Sequence, residues 1–303
     1  MANVAAGLLN VLMVLLVAPL FQGIQRKITA RIQARQGPPI WQPYFDLLKL
    51  LGKEDIEAGT VPAMQRFAAY LSLAAVLTVA FLVPMGTAVP GALVGDAILL
   101  IYLLTLMGIC NLLAGLAAGS AYSLVGISRE MMSMVVLEPL FAIAVIVGAL
   151  HAHSLRLEIV LNGSAYSGTG VPWSGIVMLG LMLLSFQAFV QRVPFDISEA
   201  ETELMEGSLM EYSGPKLALF KYAQMAKLVV YSALFIGLFI PWGETLHPPL
   251  ALLLFWLKSL ALVLLVAVVA ATHARYRIDQ AVRYFAAMMI ASLGALVLAA
   301  YGY

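Results

Sequence analysis

A cluster of acidic residues lies between two apolar runs that are long enough to cross a membrane. The acidic segment, Arg192 to Gly214, holds six of the chain's sixteen Asp and Glu residues. If a helix begins at Pro194 and ends at Gly207, as these residue types favour, four carboxylates fall on one face at steps of three, four and three: Asp196, Glu199, Glu203 and Glu206. Because such carboxylates raise one another's pKa values, we expect shared protons near neutral pH. The alternative is a solvated acidic loop without this chemistry.

A second group of ionisable residues lies inside or at the ends of the apolar runs. Arg129 and Glu130 begin one run, and Glu138 follows on the same helical face, about 12 Å deeper. Lys227 and Lys258 fall near the middle of later runs. Such groups cost about 3 kcal/mol each in a membrane, so they usually mark an ion path. The predicted proton path consists of Glu130, Glu138, Asp196, Glu199, Glu201, Glu203, Glu206, Glu211, Lys227 and Lys258. An ion pair that only fixes helix packing, such as Glu138 with Lys227, is the alternative.

The composition places these residues in a membrane protein. The 303 residues are 62% hydrophobic and 11% charged, with a mean hydropathy of +0.96, which leaves too little polar surface for a soluble globule. We predict an all-α integral membrane protein with about eight transmembrane helices and short cytoplasmic interfacial helices, in one membrane domain, 1–303. The predicted spans are 4–22, 67–90, 96–118, 131–152, 172–191, 217–241, 250–271 and 281–302.

The basic residues predict the orientation. Seven of the seventeen Lys and Arg residues follow the first span, five more lie in later odd-numbered connections, and Arg156 alone lies in an even-numbered one. By the positive-inside rule, both termini lie on the outer side of the cell inner membrane. The acidic segment is then cytoplasmic.

Cysteine and histidine usage argues against a redox or metal centre on this chain. Cys110 is the single cysteine, and the four histidines have no ligand spacing around them. No dinucleotide-binding or P-loop motif is present in the sequence. We therefore predict no catalytic site, cofactor or metal here, and any electrons would be carried by another subunit. The expected surroundings are the lipid bilayer and protein partners, with no nucleic acid.

The first cytoplasmic connection predicts a docking surface. Polar residues recur at helical spacing between Ile40 and Lys53, which favours an interfacial helix along the membrane. Several arginines precede it, beside the Gly37-Pro38-Pro39 break. The predicted docking residues are Arg26, Arg31, Arg35, Asp46, Lys49, Arg129 and Tyr212. The alternative is a basic loop that contacts only lipid headgroups.

Several motifs resemble a known family. They are Arg35-Gln-Gly-Pro with Trp41-Gln-Pro-Tyr-Phe-Asp-Leu-Leu-Lys-Leu-Leu, Gly126-Ile-Ser-Arg-Glu130, Glu138-Pro139, Pro194-Phe-Asp with Glu199-Ala-Glu-Thr-Glu-Leu, and Glu211-Tyr-Ser-Gly214. Together they resemble the respiratory complex I subunit 1 superfamily over nearly the whole chain. Within it, Ser128-Arg129-Glu130, Glu138-Pro139, and Glu206-Gly207 ahead of Glu211-Tyr212 look most like the membrane subunit of group 4 membrane-bound [NiFe] hydrogenases, of the formate hydrogenlyase subunit 4 and carbon-monoxide-linked types.

The resemblance implies a membrane-anchoring, ion-coupling subunit of a hydrogenase complex. Its implied partners are a [NiFe] large subunit, an iron–sulfur small subunit with a [4Fe–4S] cluster, a ferredoxin-like iron–sulfur protein and antiporter-like membrane subunits. Quinone-reducing relatives continue the first motif as Gly-Pro-Asn-Arg, whereas this chain reads Gly37-Pro-Pro-Ile. A quinone-binding subunit of a proton-pumping dehydrogenase is the second interpretation. A stand-alone secondary transporter is the third, although no paired broken helices of inverted repeats are evident in the sequence.

Overall fold

The computed structural model describes residues 2–56, 61–86, 96–162, 172–199, 201–205, 207–242 and 247–302. These residues form eleven α-helices: α1 Ala2–Ile32, α2 Gln42–Leu51, α3 Pro62–Leu82, α4 Ala97–Ala118, α5 Ala121–Ala152, α6 Leu157–Val160, α7 Trp173–Phe189, α8 Glu201–Leu204, α9 Gly214–Phe239, α10 Pro248–Thr272 and α11 Ile278–Ala300. Within those ranges there is one isolated β-bridge, between Asp96 and Arg156. The all-helical prediction is therefore confirmed for this part of the chain.

Seven helices are long and apolar enough to cross a membrane: α1, α3, α4, α5, α9, α10 and α11. The chain is thus a multi-pass membrane protein. The predicted fifth span corresponds to α7, an apolar helix of 17 residues, which is shorter than the about 20 residues that usually span the hydrocarbon core. The count of eight spans stays a prediction.

Helix α9 is the centre of the bundle. Of its apolar window, 83% is buried inside the chain, against 22–50% for the other six candidate spans. It packs against α1, α3, α10 and α2, and the main hydrophobic core surrounds it. Polar side chains on α9 therefore point into the chain's own interior, where they need polar partners.

Two helices extend ten residues beyond the predicted spans. Helix α1 continues to Ile32, ten residues beyond the predicted end, so Arg26 and Arg31 lie on a helix and not in a loop. Helix α5 begins at Ala121, ten residues before the predicted start. The reason is the turn before it: Gly119 ends α4 with φ 71°, and the Ser120 hydroxyl accepts a hydrogen bond from the Ser123 N–H.

The acidic segment is not the single helix predicted from Pro194 to Gly207. Its described part consists of turns, the four-residue helix α8 and a 3₁₀ turn at Gly207–Leu209. Contacts with distant residues override the helical periodicity. The Pro194 carbonyl accepts the Tyr276 N–H at 3.0 Å, and the Phe195 ring packs on the aromatic rings of α11 and the turn before it.

Glycines allow the acidic segment to lie close against α5. Gly207 has φ +56°, and a Cβ there would lie 2.1 Å from the Ser198 carbonyl oxygen. A Cβ on Gly126 of α5 would lie 3.1 Å from the Gly207 Cα. Backbone therefore packs on backbone at this point, which brings the acidic segment within reach of the polar residues of α5 and α9.

Candidate functional site

A narrow cavity lies between α4, α5, α7 and α9. Its lining includes Glu130 and Glu138 of α5, Gln191 just after α7, and Lys227 and Tyr231 of α9. The volume is about 60 Å³, which is room for a few water molecules at about 10–15 Å³ each. The eight-residue spacing of Glu130 and Glu138 places both on the same face of α5, as predicted, although α5 begins well before them.

Gln191 links Glu130 to Lys227 through two hydrogen bonds. Its side-chain N–H donates to the Glu130 carboxylate, and its amide oxygen accepts from the Lys227 ammonium at 2.9 Å. Gln191 adopts φ +54°, in the turn that follows α7. We call Glu130, Glu138, Gln191 and Lys227 the polar cluster.

The side chains of the polar cluster are held by the surrounding helices. Glu130 is 5% exposed, and the Lys227 ammonium lies 5.7 Å from the centre of the Tyr231 ring, within the range of a cation–π contact. Glu138 is within electrostatic reach of both Lys227 and Glu130. The suggested direct pair of Glu138 with Lys227 is replaced in the structure by the Lys227–Gln191 hydrogen bond.

Glu199 lies beside the polar cluster, in the acidic segment. The Gln224 amide on α9 donates to its carboxylate, one turn before Lys227. Burial raises the pKa of Glu199 to about 7, the Asp196 and Glu130 carboxylates add to the rise, and the nearby cations Arg192 and Lys227 oppose it. This carboxyl group is therefore able to gain or lose a proton near neutral pH.

Two other predicted acids form ion pairs with arginines outside the acidic segment. Asp196 contacts Arg275 at 3.0 Å, and Glu203 contacts Arg129 at 2.6 Å. The hydrogen bond and charge of Arg129 lower the pKa of Glu203. Three of the four carboxylates expected on one face, Asp196, Glu199 and Glu203, therefore face different partners, so the single helical face is wrong for them. Glu206 lies outside the described residues, as does the side chain of Glu201.

Lys258 and Glu211 lie apart from the polar cluster. The Lys258 ammonium donates to the carbonyls of Ile240 and Trp242, at the end of α9. Ile240 is thirteen residues beyond Lys227, which is about 20 Å along the helix axis. Glu211 is partly buried just before α9. Neither side chain lines the cavity as the described residues define it.

The predicted docking residues are divided between surface and interior. Arg26 of α1 forms an ion pair with Asp46 of α2 at 3.1 Å, which fixes α2 beside the end of α1. Arg31, Arg35 and Lys49 are exposed. Tyr212, in contrast, is 6% exposed and donates to the Ala114 carbonyl at 2.9 Å, so it packs inside the chain. The predicted helix between Ile40 and Lys53 is α2, with Trp41, Phe45, Leu48 and Leu51 exposed.

Sequence reasoning missed the two glutamines and Arg275. Gln191 and Gln224 are uncharged, so the pattern of ionisable residues does not include them. The available signal was an amide in an otherwise apolar stretch, because such amides in membrane helices hydrogen-bond across helices. Arg275 was used only for orientation, and its contact with Asp196 spans 79 residues of sequence.

A multi-pass helical protein with acids, a lysine and an amide around an interior cavity fits the membrane part of a larger assembly. The chain belongs to the NADH dehydrogenase family, whose model matches residues 5–300. It is similar to hydrogenase-4 component C of Escherichia coli (strain K12), with 38% identity over 87% of this chain and 84% of the relative. It is also similar to formate hydrogenlyase subunit 4 of the same organism, with 34% identity over 91% of this chain and 92% of the relative.

More distant relatives have quinone-related names. NADH-ubiquinone oxidoreductase chain 1 of Paracentrotus lividus is 30% identical over 88% of this chain and 84% of the relative. Among solved structures, a chain of the membrane-bound sulfane sulfur reductase, an archaeal respiratory membrane complex, has a TM-score of 0.88 and 25% identity, covering 99% of this chain and 100% of that one. These relatives are subunits of oxidoreductase complexes, and the predicted superfamily is confirmed.

Proposed function

We propose that this chain is the membrane-anchoring and ion-coupling subunit of a membrane-bound [NiFe] hydrogenase complex. The observation that carries the proposal is the polar cluster: two carboxylates, an amide and a lysine around a cavity in the helix bundle, beside a carboxyl group that titrates near neutral pH. The names of its relatives in hydrogenase-4 and formate hydrogenlyase support the hydrogenase assignment.

In this proposal Glu199 receives the signal from the redox arm. Glu199 lies in the acidic segment, on the face predicted to be cytoplasmic, and its pKa of about 7 makes its protonation sensitive to a nearby change of charge. Glu130, within electrostatic reach, lies deeper in α5. Glu138 lies about 12 Å further along the same face, a distance that water in the cavity would bridge.

Gln191 has a positioning role. An amide does not carry a proton at neutral pH, but its two ends hold the Glu130 carboxylate and the Lys227 ammonium at one hydrogen bond's distance each. Glu138 and Glu199 also lie within electrostatic reach of Lys227. The charges of these carboxylates and of Lys227 are coupled in this way.

The docking part of the proposal rests on the end of α1 and on α2. Arg31, Arg35 and Lys49 are exposed beside the Arg26–Asp46 pair, and they suit an acidic protein surface. The proposed partners are the [NiFe] large subunit, the iron–sulfur small subunit with its [4Fe–4S] cluster, the ferredoxin-like protein and antiporter-like membrane subunits. Both termini are proposed to lie on the outer side of the inner membrane, with one membrane domain over 1–303.

A quinone-binding subunit is the second candidate, because several relatives are named as quinone oxidoreductase subunits. The size of the cavity argues against it. About 60 Å³ suits water, whereas small-molecule sites measure about 300–1,000 Å³. Hydrogen evolution that depended strictly on added quinone, or quinone extracted with the purified complex, would favour this second candidate.

The test of ion coupling uses the intact complex in proteoliposomes. Glu138→Gln should leave assembly and electron transfer to artificial dyes near wild type, while ion movement per electron falls severalfold. The matched control is Glu158→Gln, the same change at an exposed acid of α6. If Glu138→Gln kept the wild-type ratio of ions to electrons, Glu138 would be structural. Ion transport by this chain reconstituted alone would favour the stand-alone transporter.

A further inference from the structure

Two adjoining cavities lie at the turn between α10 and α11, away from the polar cluster. The first, of about 280 Å³, is lined by three arginines, Arg129, Arg275 and Arg277, and by Glu203. The second, of about 410 Å³, is mainly apolar. Tyr276 lines both cavities, so they meet at this side chain. A charged recess and an apolar groove therefore lie next to each other.

The first cavity suits an anionic group. Three guanidinium groups and one carboxylate line it, and each guanidinium has an acidic partner: Glu203 for Arg129, Asp196 for Arg275 and Asp279 for Arg277. The ion pairs balance the charge, so the recess offers an anion hydrogen-bond donors and not an excess of positive charge. Arg277 contacts Asp279 through its Nε at 3.1 Å, and its side chain is 80% exposed. Each guanidinium has five N–H donors in a planar fork, a geometry that matches phosphate oxygens.

The second cavity suits a hydrocarbon chain. Leu183 and Leu184 of α7 form one wall, Leu265 and Val269 of α10 form another, and Tyr284 of α11 completes it. Leu184 is 57% exposed, so the groove opens on the outside of the helix bundle. These residues belong to apolar helices, so the walls of the groove are suited to contact with a lipid tail.

We propose that these two cavities form one binding site for an anionic glycerophospholipid. The phosphate lies between Arg275 and Arg277, and one acyl chain follows the groove between α7 and α10. The guanidinium donors of the recess and the apolar character of the groove together favour this occupant, because a soluble anion would leave the groove empty and a zwitterionic lipid would bring a second cation beside the arginines. Basic pockets between membrane helices on the cytoplasmic side are suited to such headgroups. The site does not depend on the proposed ion coupling.

The experiment measures lipid retained by the intact complex. Purified complex is exchanged into detergent with phosphatidylglycerol or with phosphatidylcholine of the same acyl chains, and native mass spectrometry counts the lipids that remain on this chain. Phosphatidylglycerol should be retained in preference to phosphatidylcholine. Arg277→Gln should weaken this retention about fivefold, which is the effect expected from the loss of one basic residue that contacts anionic lipid.

Two further variants make the result specific. Leu184→Trp narrows the groove and should lower retention of phosphatidylglycerol while all three arginines stay in place. Arg156→Gln, the same charge loss at an exposed arginine of the α5–α6 connection, should retain as much lipid as wild type. Equal retention of the two lipids, or unchanged retention in both Arg277→Gln and Leu184→Trp, would overturn the proposal. A photo-crosslinker at position 277 that captured a partner subunit and no lipid would identify a protein interface instead.

Discussion

Replacing Glu199 by glutamine should remove the pH dependence of ion coupling near neutrality. Burial raises the pKa of this carboxyl group to about 7. It is then about 90% protonated at pH 6 and about 90% ionised at pH 8. A unit charge that appeared about 12 Å from Glu199, in the proposed redox arm, would contribute about 1.4 kcal/mol at an effective dielectric constant of 20, or about one pKa unit. At pH 7 this changes the protonated fraction from about one half to about one tenth or nine tenths.

Glutamine is a close substitute for the protonated acid. It has nearly the same shape, and its amide oxygen is still able to accept the hydrogen bond from Gln224. The variant complex should therefore assemble. The assay measures ions moved per electron in proteoliposomes between pH 6 and pH 8, where wild type should show a midpoint near 7. In Glu199→Gln the profile should be flat and the coupling ratio lower.

Glu203→Gln is the matched control. Glu203 lies four residues away in the same segment, but Arg129 lowers its pKa, so it stays ionised over the whole range. Its loss should keep the midpoint near 7, and because the pair is on the surface it should cost about 1 kcal/mol or less in stability. A wild-type midpoint in Glu199→Gln, or the same loss in both variants, would refute the assignment of Glu199 as the titrating group.

Four other variants test parts of the structure. Gln191→Leu should assemble but lower ion coupling severalfold, because it removes the hydrogen bonds that link Glu130 to Lys227. Wild-type ion coupling in Gln191→Glu would argue against an amide bridge. Gly207→Ala should lower the melting temperature, since its φ of +56° alone costs about 1–2 kcal/mol and its Cβ would meet the Ser198 carbonyl. Lys258→Met should leave the ion-to-electron ratio unchanged and lower thermal stability, because Lys258 holds the end of α9.

The apolar runs predicted the helices well, because membrane insertion depends on local composition. They predicted the ends of α1 and α5 poorly. Both helices continue about ten residues past the predicted span, since a charged residue ends an apolar run but not a helix. Arg26, Arg31 and Arg129 are good helix formers outside the hydrocarbon core. The boundary of a span and the boundary of a helix are therefore different quantities, and hydropathy reports only the first.

The acidic segment shows a second kind of limit. Residue spacing indicates which carboxylates would be neighbours on one helix, and it predicted four of them on one face. The structure separates the three that it describes, Asp196, Glu199 and Glu203. Arg275, Arg129 and Gln224, between 25 and 79 residues away in sequence, each contact a different one. Such partners come from the packing of α5, α9 and the α10–α11 turn, which no local pattern encodes.

The same separation gives the acids their different chemistry. Four carboxylates on one exposed face would have titrated together and shared their protons. Asp196 and Glu203 face arginines, and Arg129 keeps Glu203 ionised at neutral pH, whereas Glu199 faces an amide and two further carboxylates, Asp196 and Glu130, in a buried position. Tertiary contacts thus leave Glu199 close to its proton equilibrium and beside the cavity. The packing of the acidic segment against α5 and α9 thus places one carboxyl group with a pKa near neutral, Glu199, four residues from one that stays ionised, Glu203.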